Sequence, residues 1–576
     1  MTAIGIDFGT TNSVAAVFAD GATEVLPIGE PPAEWVAMGF ARVLPSVVAL
    51  NEDRRMVFGW QAKQLDTPKK FEAIKRLFRE EETVTEGGEK FYVEEIAAAL
   101  FAHVKQRARA TGLDPDSAVI TIPANSRGLA RHRTKVCAGM GGLAPLALIN
   151  EPTAAAMAYA RRHDIDHQNV LVFDFGGGTL DVTVLAVNDG MFFEQGSSGI
   201  ARLGGIDFDR AVLRHITNES AGSDGWSSAD RARLRLEIEK AKIRLSSNDI
   251  DETIISDPVL GGGTFRLTRP QFDELTQPLV QRSGEAIART LSDLRLEPGS
   301  VDQILLVGGT SKVPAVRQFV SELLGKAPAT GVDPMTAVGE GAAIAAAILT
   351  GQLPDSDFFL STEHAMGTVV ADPAAGVLRF GTVIPKNQKL PAKVRRTFVP
   401  VVEYQEAVNV TVVEGDPGLP LDHPDNLLLA EFVVPLDPPR PAADVQIDLT
   451  YTYDADGLLH VDVTDGESEQ PLIERLTLSA QGALGGRSLV EMADRVRASV
   501  EDGSAVTGTA VPASMLPPES AALVATARSK VIPFIDDADA VDIRGLVEAV
   551  EHATDSERHA RHHELATALQ RYSYLL

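Results

Sequence analysis

Cysteine is nearly absent from this chain: Cys137 is the only one among 576 residues. No disulfide can form within it, so the fold must rest on burial alone. Basic residues are scarce relative to acidic ones, 53 Lys and Arg against 80 Asp and Glu, for a formal charge of −27. That balance argues against a general nucleic-acid binder, whose phosphate contacts need clustered positive charge. Long apolar runs are missing too. The longest run of small apolar residues, Gly341 to Leu349, falls well short of the roughly twenty residues a membrane span needs and reads as a buried helix. The N-terminus enters a strand directly, without the basic stretch and apolar core of a signal peptide. The expectation from these absences is a soluble cytoplasmic protein with neither nucleic acid nor membrane as a partner.

What the chain has instead is one acidic, glycine-rich turn written twice. The first copy is Asp7-Phe8-Gly9-Thr10-Thr11-Asn12-Ser13. The second is Asp174-Phe175-Gly176-Gly177-Gly178-Thr179-Leu180-Asp181. Each follows an apolar β-type run and predicts strand, tight turn, strand. Glycines let backbone N–H groups approach phosphate oxygens. Threonine hydroxyls add donors, and Asp7, Asp174 and Asp181 suit a hydrated Mg²⁺. One such loop reads equally well as an ordinary glycine turn. The pair, each opening a similar stretch of chain, points to two related lobes closing on one nucleotide.

A chain of this length exceeds what one core can serve, and several domains are expected. Residues 1–352 alternate strands and helices in an α/β pattern. Within them Val93 to Ala110 predicts a helix, Val119 to Pro123 a strand, and Arg231 to Leu245 a charged helix. Asn150-Glu151-Pro152-Thr153 predicts a cap, a proline start and a helix packed by small residues. Ile304 to Val307 predicts a buried strand running into Gly308-Gly309. The pattern changes after Leu353-Pro354-Asp355. Residues 353–362, with Phe358-Phe359-Leu360, predict a linker. Residues 363–480 predict a separate antiparallel β-sandwich, with a hairpin turn at Asp454 to Gly457. Residues 481–576 predict helices, with a flexible Gly/Ser/Pro connector at 502–518.

The motifs together resemble the seventy-kilodalton heat-shock chaperone family of the DnaK type, over about residues 1–480. They are both phosphate loops, Phe71-Glu-Ala-Ile-Lys75-Arg-Leu, Ile149-Asn-Glu151-Pro-Thr-Ala-Ala-Ala, Leu203-Gly-Gly205-Ile-Asp-Phe-Asp209, Glu239-Lys-Ala-Lys242-Ile-Arg-Leu-Ser246, Leu306-Val-Gly308-Gly309 and Asp454-Ala-Asp-Gly-Leu-Leu-His-Val461. The resemblance implies an actin-like, two-lobed ATPase domain, a β-sandwich that binds peptide and a short α-helical lid. It implies ATP and ADP with Mg²⁺, and K⁺ as a further cation.

The resemblance also assigns roles. Lys75 is the catalytic lysine at the γ-phosphate, and Glu151 the carboxylate that arranges water and metal. Thr179 and Asp174 complete the catalytic set, and Asp7, Asp174 and Asp181 surround Mg²⁺. Gly9, Thr10, Thr11, Asn12, Gly176, Gly177, Gly178, Thr179, Gly204 and Gly205 border the phosphates. Glu239, Lys242 and Ser246 share one helical face beside the adenosine, opposite Gly308 and Gly309. Lys312 stands where the family usually has Arg, a better stacking partner, so weaker nucleotide affinity is expected. Phe398, Val401, Val408 and Val410 fall where the family lines its peptide cleft, with plain core packing as the alternative.

The implied function is an ATP-dependent chaperone holding extended, unfolded polypeptide, helped by a J-domain co-chaperone and a nucleotide exchange factor. Two departures concern the coupling between domains. The family's linker closes on Asp, where this chain has Ser361. The segment Asn125-Ser126-Arg127-Gly128 lacks the family's aromatic and Asn-Asp pattern. Together with the short C-terminal part, these point to a specialised member. A small-molecule kinase of the same superfold, or a non-hydrolysing actin-like scaffold, would share the phosphate loops. The β-sandwich and Lys75 in place of a carboxylate base separate the first from the chaperone reading. Cys137 reads as buried and inert, and His559 and His563, four apart on the last helix, as a solvated face.

Overall fold

The computed structural model describes residues 2–572 apart from 68, 79–82, 87–88, 164, 221–222, 262, 373–375, 424, 455–457, 467–470, 478–487, 507, 511–515, 533–534, 536 and 554–556. Both phosphate turns form as hairpins. Ala3–Phe8 pairs antiparallel with Asn12–Ala19, with Phe8 opposite Ser13. Gln168–Phe175 pairs antiparallel with Leu180–Asn188, with Asp174 opposite Asp181. Each hairpin seeds its own sheet. In the first, Ala144–Asn150, Ser117–Ile122, Ala3–Phe8, Asn12–Ala19 and Ala22–Val25 lie in that order. In the second the order is Gln303–Val307, Gln168–Phe175, Leu180–Asn188, Met191–Ile200 and Asp357–Phe359.

Two helices of small residues, Glu151–His163 and Ala337–Leu349, pack against each other between the sheets. The glycine at 341 explains how closely they approach. A Cβ there would lie 1.7 Å from the Ala154 carbonyl oxygen, so only a residue without one fits. The run Gly341 to Leu349 is therefore a buried inter-lobe helix, as its composition predicts. The predicted Val93 helix spans Val93–Arg109, the charged helix spans Ser228–Leu245, and Cys137 is fully buried.

Part of the segment expected as a linker is a strand. Asp357–Phe359 is a strand, parallel to Met191–Ile200, with Phe358 opposite Phe192 and Phe359 opposite Phe193. The Phe193 and Phe359 rings stack with centroids 5.1 Å apart, and the Lys389 ammonium lies 4.7 Å from the Phe193 centroid. A segment that reads as a spacer is thus fixed by backbone pairing and ring stacking, neither visible from its own residues.

Beyond it, two four-stranded antiparallel sheets face each other. One is ordered Val377–Ile384, Ala365–Asp372, Ala407–Gly415, Leu427–Pro435, and the other Ala392–Phe398, Ile447–Tyr453, Leu459–Asp465, Pro471–Thr477. Val412, Val434, Tyr451, Val461 and Val463 fill the space between them. Ala455 to Gly457 of the predicted hairpin turn, and the predicted boundary at 480–481, lie outside the described residues.

The sandwich sits against both lobes. Lys386 Nζ donates to Asp293 Oδ2 at 2.5 Å, Arg127 donates to the Asp425 carbonyl at 3.1 Å, and Gly128 N to Glu414 Oε2 at 3.4 Å. The Asn125–Gly128 segment therefore forms part of this contact.

The C-terminal part returns to the two-lobed body. Leu489–Val500, capped by Ser488, packs on Val93–Arg109. The stretch expected to be a flexible connector is partly docked: Val506 N donates to the Arg54 carbonyl at 2.8 Å, and Thr509–Ala510 pairs with Glu89–Lys90. Residues 507 and 511–515 of that stretch lie outside the described residues. Further along, buried Arg202 of the second lobe donates to the carbonyls of Ile532 and Ile535.

Candidate functional site

The two hairpin tips meet at the bottom of the cleft between the lobes. They are complementary rather than equivalent. A Cβ on Gly177 would lie 2.3 Å from the Thr11 side chain, and one on Gly178 would lie 2.6 Å from that of Thr10. The threonines of the first loop fill the space that the glycines of the second leave. Gly204 is pressed equally hard, since its Cβ would meet the Gly177 backbone at 2.4 Å. Gly308 has φ +79°, a conformation that side chains disfavour, and a Cβ there would lie 2.5 Å from the Phe175 carbonyl oxygen.

A small cavity of about 70 Å³ lies between these loops, lined by Asp7, Thr10, Lys75, Glu151, Asp174 and Thr179 among others. Lys75 comes from a short helix, Ile74–Leu77, that follows a left-handed Ala73. Its ammonium is 2.5 Å from Glu151 Oε1 and donates to the Phe8 carbonyl at 2.5 Å, with only 9% of the side chain exposed. Glu151 opens the inter-lobe helix, where its charge also faces the positive end of the helix dipole.

Asp7 and Asp174 sit beside this pair. Burial, reinforced by the neighbouring Glu151 charge, pushes Asp7 up to about 7, against the opposing pull of Lys75. The same causes raise Asp174. Carboxylates crowded in a buried floor repel each other, and a divalent cation relieves that repulsion with the hard oxygen donors it prefers. The donor set therefore fits Mg²⁺. Asp181 is placed differently: it is fully buried, does not line the cavity, and accepts a hydrogen bond from Asn125 N at 3.0 Å.

Above the floor the cleft widens into a cavity of about 460 Å³ lined by Glu239, Lys242, Ser246, Gly309, Lys312 and Met335 with Phe40 and Met38 of the first lobe. Lys63 of the first lobe bridges to Glu239 of the second at 2.6 Å, closing the mouth. Burial would raise the Glu239 carboxyl, but Lys63 and Lys242 outweigh it and hold it below the usual range. Lys242 Nζ reaches Asp209 at 2.7 Å and the Gly205 carbonyl at 3.0 Å. Lys312 is 3.7 Å from Asp333 and about a third exposed. Thus Gly9 through Asn12, Gly176 through Thr179, Gly204, Gly205, the Glu239 face, Gly308, Gly309 and Lys312 converge on one cleft.

Several residues here escape a sequence reading. Arg76 reads as part of a basic surface, yet it is 5% exposed and donates to the Gly178 carbonyl at 2.7 Å and to Asp207 at 3.2 Å. Thr310 Oγ1 donates to the Gly176 carbonyl at 2.7 Å. The available signal was an arginine inside the apolar Phe71–Phe78 segment.

The residues proposed for the peptide cleft separate. Val410 is buried in the sandwich core, Phe398 and Val408 are half-buried against it, and Val401 is 64% exposed. Val401 stands in a run with exposed Val399, Val402 and Tyr404.

The linker meets the second lobe at a buried polar seam. Ser361, standing where the resemblance leads one to expect Asp, donates from Oγ to Glu194 Oε1 at 3.1 Å. Glu194 lies in the Met191–Ile200 strand and is 2% exposed. Asn150 Nδ2 and Thr153 Oγ1 donate to its other oxygen, each at 2.9 Å.

Comparison with known proteins decides the family. The Hsp70 protein family model matches residues 79–492. The chain is 35% identical over 475 residues to the chaperone protein DnaK of Cenarchaeum symbiosum, covering 80% of this chain and 71% of that one. It is equally similar, 35% over 480 residues, to that of Thermosipho africanus, covering 80% and 77%. The chain belongs to the Hsp70 family. It is an ATP-dependent chaperone whose enzymatic activity is ATP hydrolysis. Hsp70 proteins work with ATP, ADP and Mg²⁺, on unfolded polypeptides and with co-chaperones. Among the described residues, no helix is long and apolar enough to cross a membrane.

Proposed function

We propose that the cleft hydrolyses ATP through Lys75 and Glu151 and that the docked linker transmits its state to a peptide-binding sandwich. The observation that carries this reading is the buried Lys75–Glu151 pair, 2.5 Å apart at the point where both phosphate hairpins meet. Bound Mg-ATP supplies the scissile γ-phosphoryl group and the cation that neutralises it.

The chain's own residues do the rest. Backbone N–H groups of Gly9–Asn12 and Gly176–Thr179 cradle the phosphates, and the Thr10, Thr11 and Thr179 hydroxyls add donors. Asp7 and Asp174 hold the cation, with Asp181 bracing the second hairpin and K⁺ a candidate second ion. Lys75 places its positive charge where negative charge develops in the transition state. Glu151 orients the attacking water and takes its proton. Glu239, Lys242, Ser246, Gly308, Gly309 and Lys312 enclose the nucleoside.

In this reading residues 1–352 bind nucleotide, 353–362 link, 363–480 bind peptide and 481–576 are the lid-like part, whose helices rest on the nucleotide-binding body. In the sandwich, the exposed run Val399–Tyr404 and Val408 offer apolar contacts for one side chain of an extended segment, with backbone pairing beside it. Arg127 and Gly128, at the sandwich contact, adjoin the surface on which a J-domain co-chaperone would act, and the cleft mouth at Lys63–Glu239 is where an exchange factor would open the lobes. We place this activity in the cytoplasm.

The test is ATP turnover with and without an unfolded peptide. Because coupling between two sites is reciprocal, peptide should change turnover as ATP changes peptide affinity. Turnover indifferent to peptide, with peptide affinity indifferent to ATP, would refute the coupled reading.

A further inference from the structure

Glu194 is the one charged residue of the Met191–Ile200 strand and is 2% exposed, and burying a carboxylate is costly unless hydrogen bonds satisfy it. Its two oxygens face different parts of the molecule. Oε2 accepts from Asn150 Nδ2 and from Thr153 Oγ1, at 2.9 Å each, while Oε1 accepts from Ser361 Oγ at 3.1 Å.

Asn150 and Thr153 are the residues that bracket Glu151: Asn150 ends the Ala144–Asn150 strand, and Thr153 lies in the first turn of the helix that Glu151 opens. Asn150 is held from its other side as well, because Arg131 donates to its Oδ1 at 3.1 Å. Ser361 follows directly on the docked linker strand. One side chain therefore ties the backbone turn that presents Glu151 to the segment that joins the two halves of the protein.

We propose that Glu194 is a positioning residue that couples linker docking to the placement of Glu151. When the linker leaves, Oε1 loses the hydroxyl it accepts from. With the linker gone, Oε1 meets water instead, and its hydration draws the side chain toward the vacated edge. Oε2 moves with it and loosens its hold on Asn150 and Thr153. Glu151 then loses its fixed approach to Lys75. The same link works in reverse: an ordered Glu151 turn presents Oε1 to Ser361 and favours docking. This inference rests on the proposal that Lys75 and Glu151 carry hydrolysis.

The experiment uses the full chain and measures kcat and KM for ATP, thermal stability, and amide exchange at residues 357–361. The variants are Glu194→Val, Glu194→Gln, Ser361→Ala, the double variant Glu194→Val/Ser361→Ala, and Lys75→Ala as a separate control. Glu194→Val should lower kcat about tenfold, within the range of site-to-site coupling, with KM changed by less than about twofold. Ser361→Ala should lower kcat about threefold, as the loss of one hydrogen bond. The double variant should be no slower than Glu194→Val alone, because both changes cut one path. Glu194→Gln should recover most of the rate, since its amide keeps an acceptor for Asn150 and Thr153 and can donate to Ser361. Both Glu194→Val and Ser361→Ala should speed exchange at 357–361.

Multiplying effects in the double variant would overturn the proposal, as would an unchanged kcat in Ser361→Ala. A fall in thermal stability with no change in kcat would show a merely structural role and also overturn it. If Glu194→Val does not fold, the same cycle run with Thr153→Val and Ser361→Ala decides the question by the same criterion, because Thr153→Val cuts the same path at its other end. Full turnover by Lys75→Ala would instead refute the hydrolysis reading on which the inference rests.

Discussion

The floor of the nucleotide cleft is made chiefly of backbone from two short hairpins, whereas the seam between linker and second lobe is a three-residue strand pairing supplemented by side chains drawn from far apart in the chain. At the floor, Thr10 and Thr11 fill the space above Gly178 and Gly177, so two local turns interlock with little room to move. At the seam, Phe359 stacks on Phe193, Ser361 meets Glu194, and Lys386 reaches Asp293. Each seam contact is of the kind that is individually modest. The difference shows how one chain can hold phosphates in a rigid cradle and still release a neighbouring domain. Rigidity is concentrated in close backbone packing, and reversibility in dispersed side-chain contacts.

Breaking the cradle should have the largest consequences. Lys75→Ala is expected to slow single-turnover ATP hydrolysis about 10²–10³-fold, the scale for removing one charge stabiliser of the transition state, while ADP affinity stays close to that of the unmodified chain. A rate within a few-fold of the original would rule out the catalytic role. Gly178→Val comes next. Its side chain would enter space that Thr10 occupies, and such overpacking typically costs about 1–3 kcal/mol. Titration calorimetry should record weaker ATP binding; unaltered binding would mean that the two tips are not interlocked.

The seam should yield smaller effects. Phe359→Ala removes a ring stack worth about 0.5–1.5 kcal/mol beyond its buried area. Amide exchange at 357–361 should accelerate while ATP affinity holds, and equal loss of both would erase the distinction between cradle and seam.

The smallest expected effect is one of pH. Burial pushes the Glu363 carboxyl up to about 7, against Lys386, Arg131 and Arg289 and with added repulsion from Glu194. A folded-state value above the ordinary carboxylate range means that the docked form binds protons more readily than a form with Glu363 in water. Docking is then favoured below about pH 4.5 in full measure and loses this contribution as pH rises through 7. Fluorescence or exchange measurements at pH 6 and pH 8 should show weaker docking at the higher pH, an effect that Glu363→Gln removes. A wild-type trend in the opposite direction would discount Glu363 as its source.

The cradle was legible in the sequence because phosphate chemistry is met by contiguous residues. Asp7 to Ser13 and Asp174 to Asp181 carry their turn signals, glycines and donors within a few positions of one another. Lys75 and Glu151 needed the family resemblance, since a lysine in a basic stretch and a glutamate at a helix start have ordinary explanations. The seam was hidden for a physical reason. Phe358–Leu360 gives no hint that Met191–Phe193, far back in the chain, supplies its pairing partner. Glu194 was missed because a single carboxylate in a mixed strand reveals a role only when Asn150, Thr153 and Ser361 are brought to it. Arg76 was likewise hidden, because its partners Gly178 and Asp207 belong to the opposite lobe. The docked stretch around Val506 contradicts a composition that reads as loose connector, because its order comes from Arg54 and Glu89.

The pairing of Asp357–Phe359 with Met191–Phe193 has a consequence for solubility. With the linker in place, the second sheet is bordered by a three-residue strand. Once the linker withdraws, Met191–Phe193 becomes a bare sheet margin with unpaired N–H and C=O groups and the Phe193 ring beside them. Such a margin is a template for any other extended chain. The undocked protein therefore has a second place, quite apart from the sandwich, where a stray strand can lodge, and the linker doubles as the cover that keeps it closed.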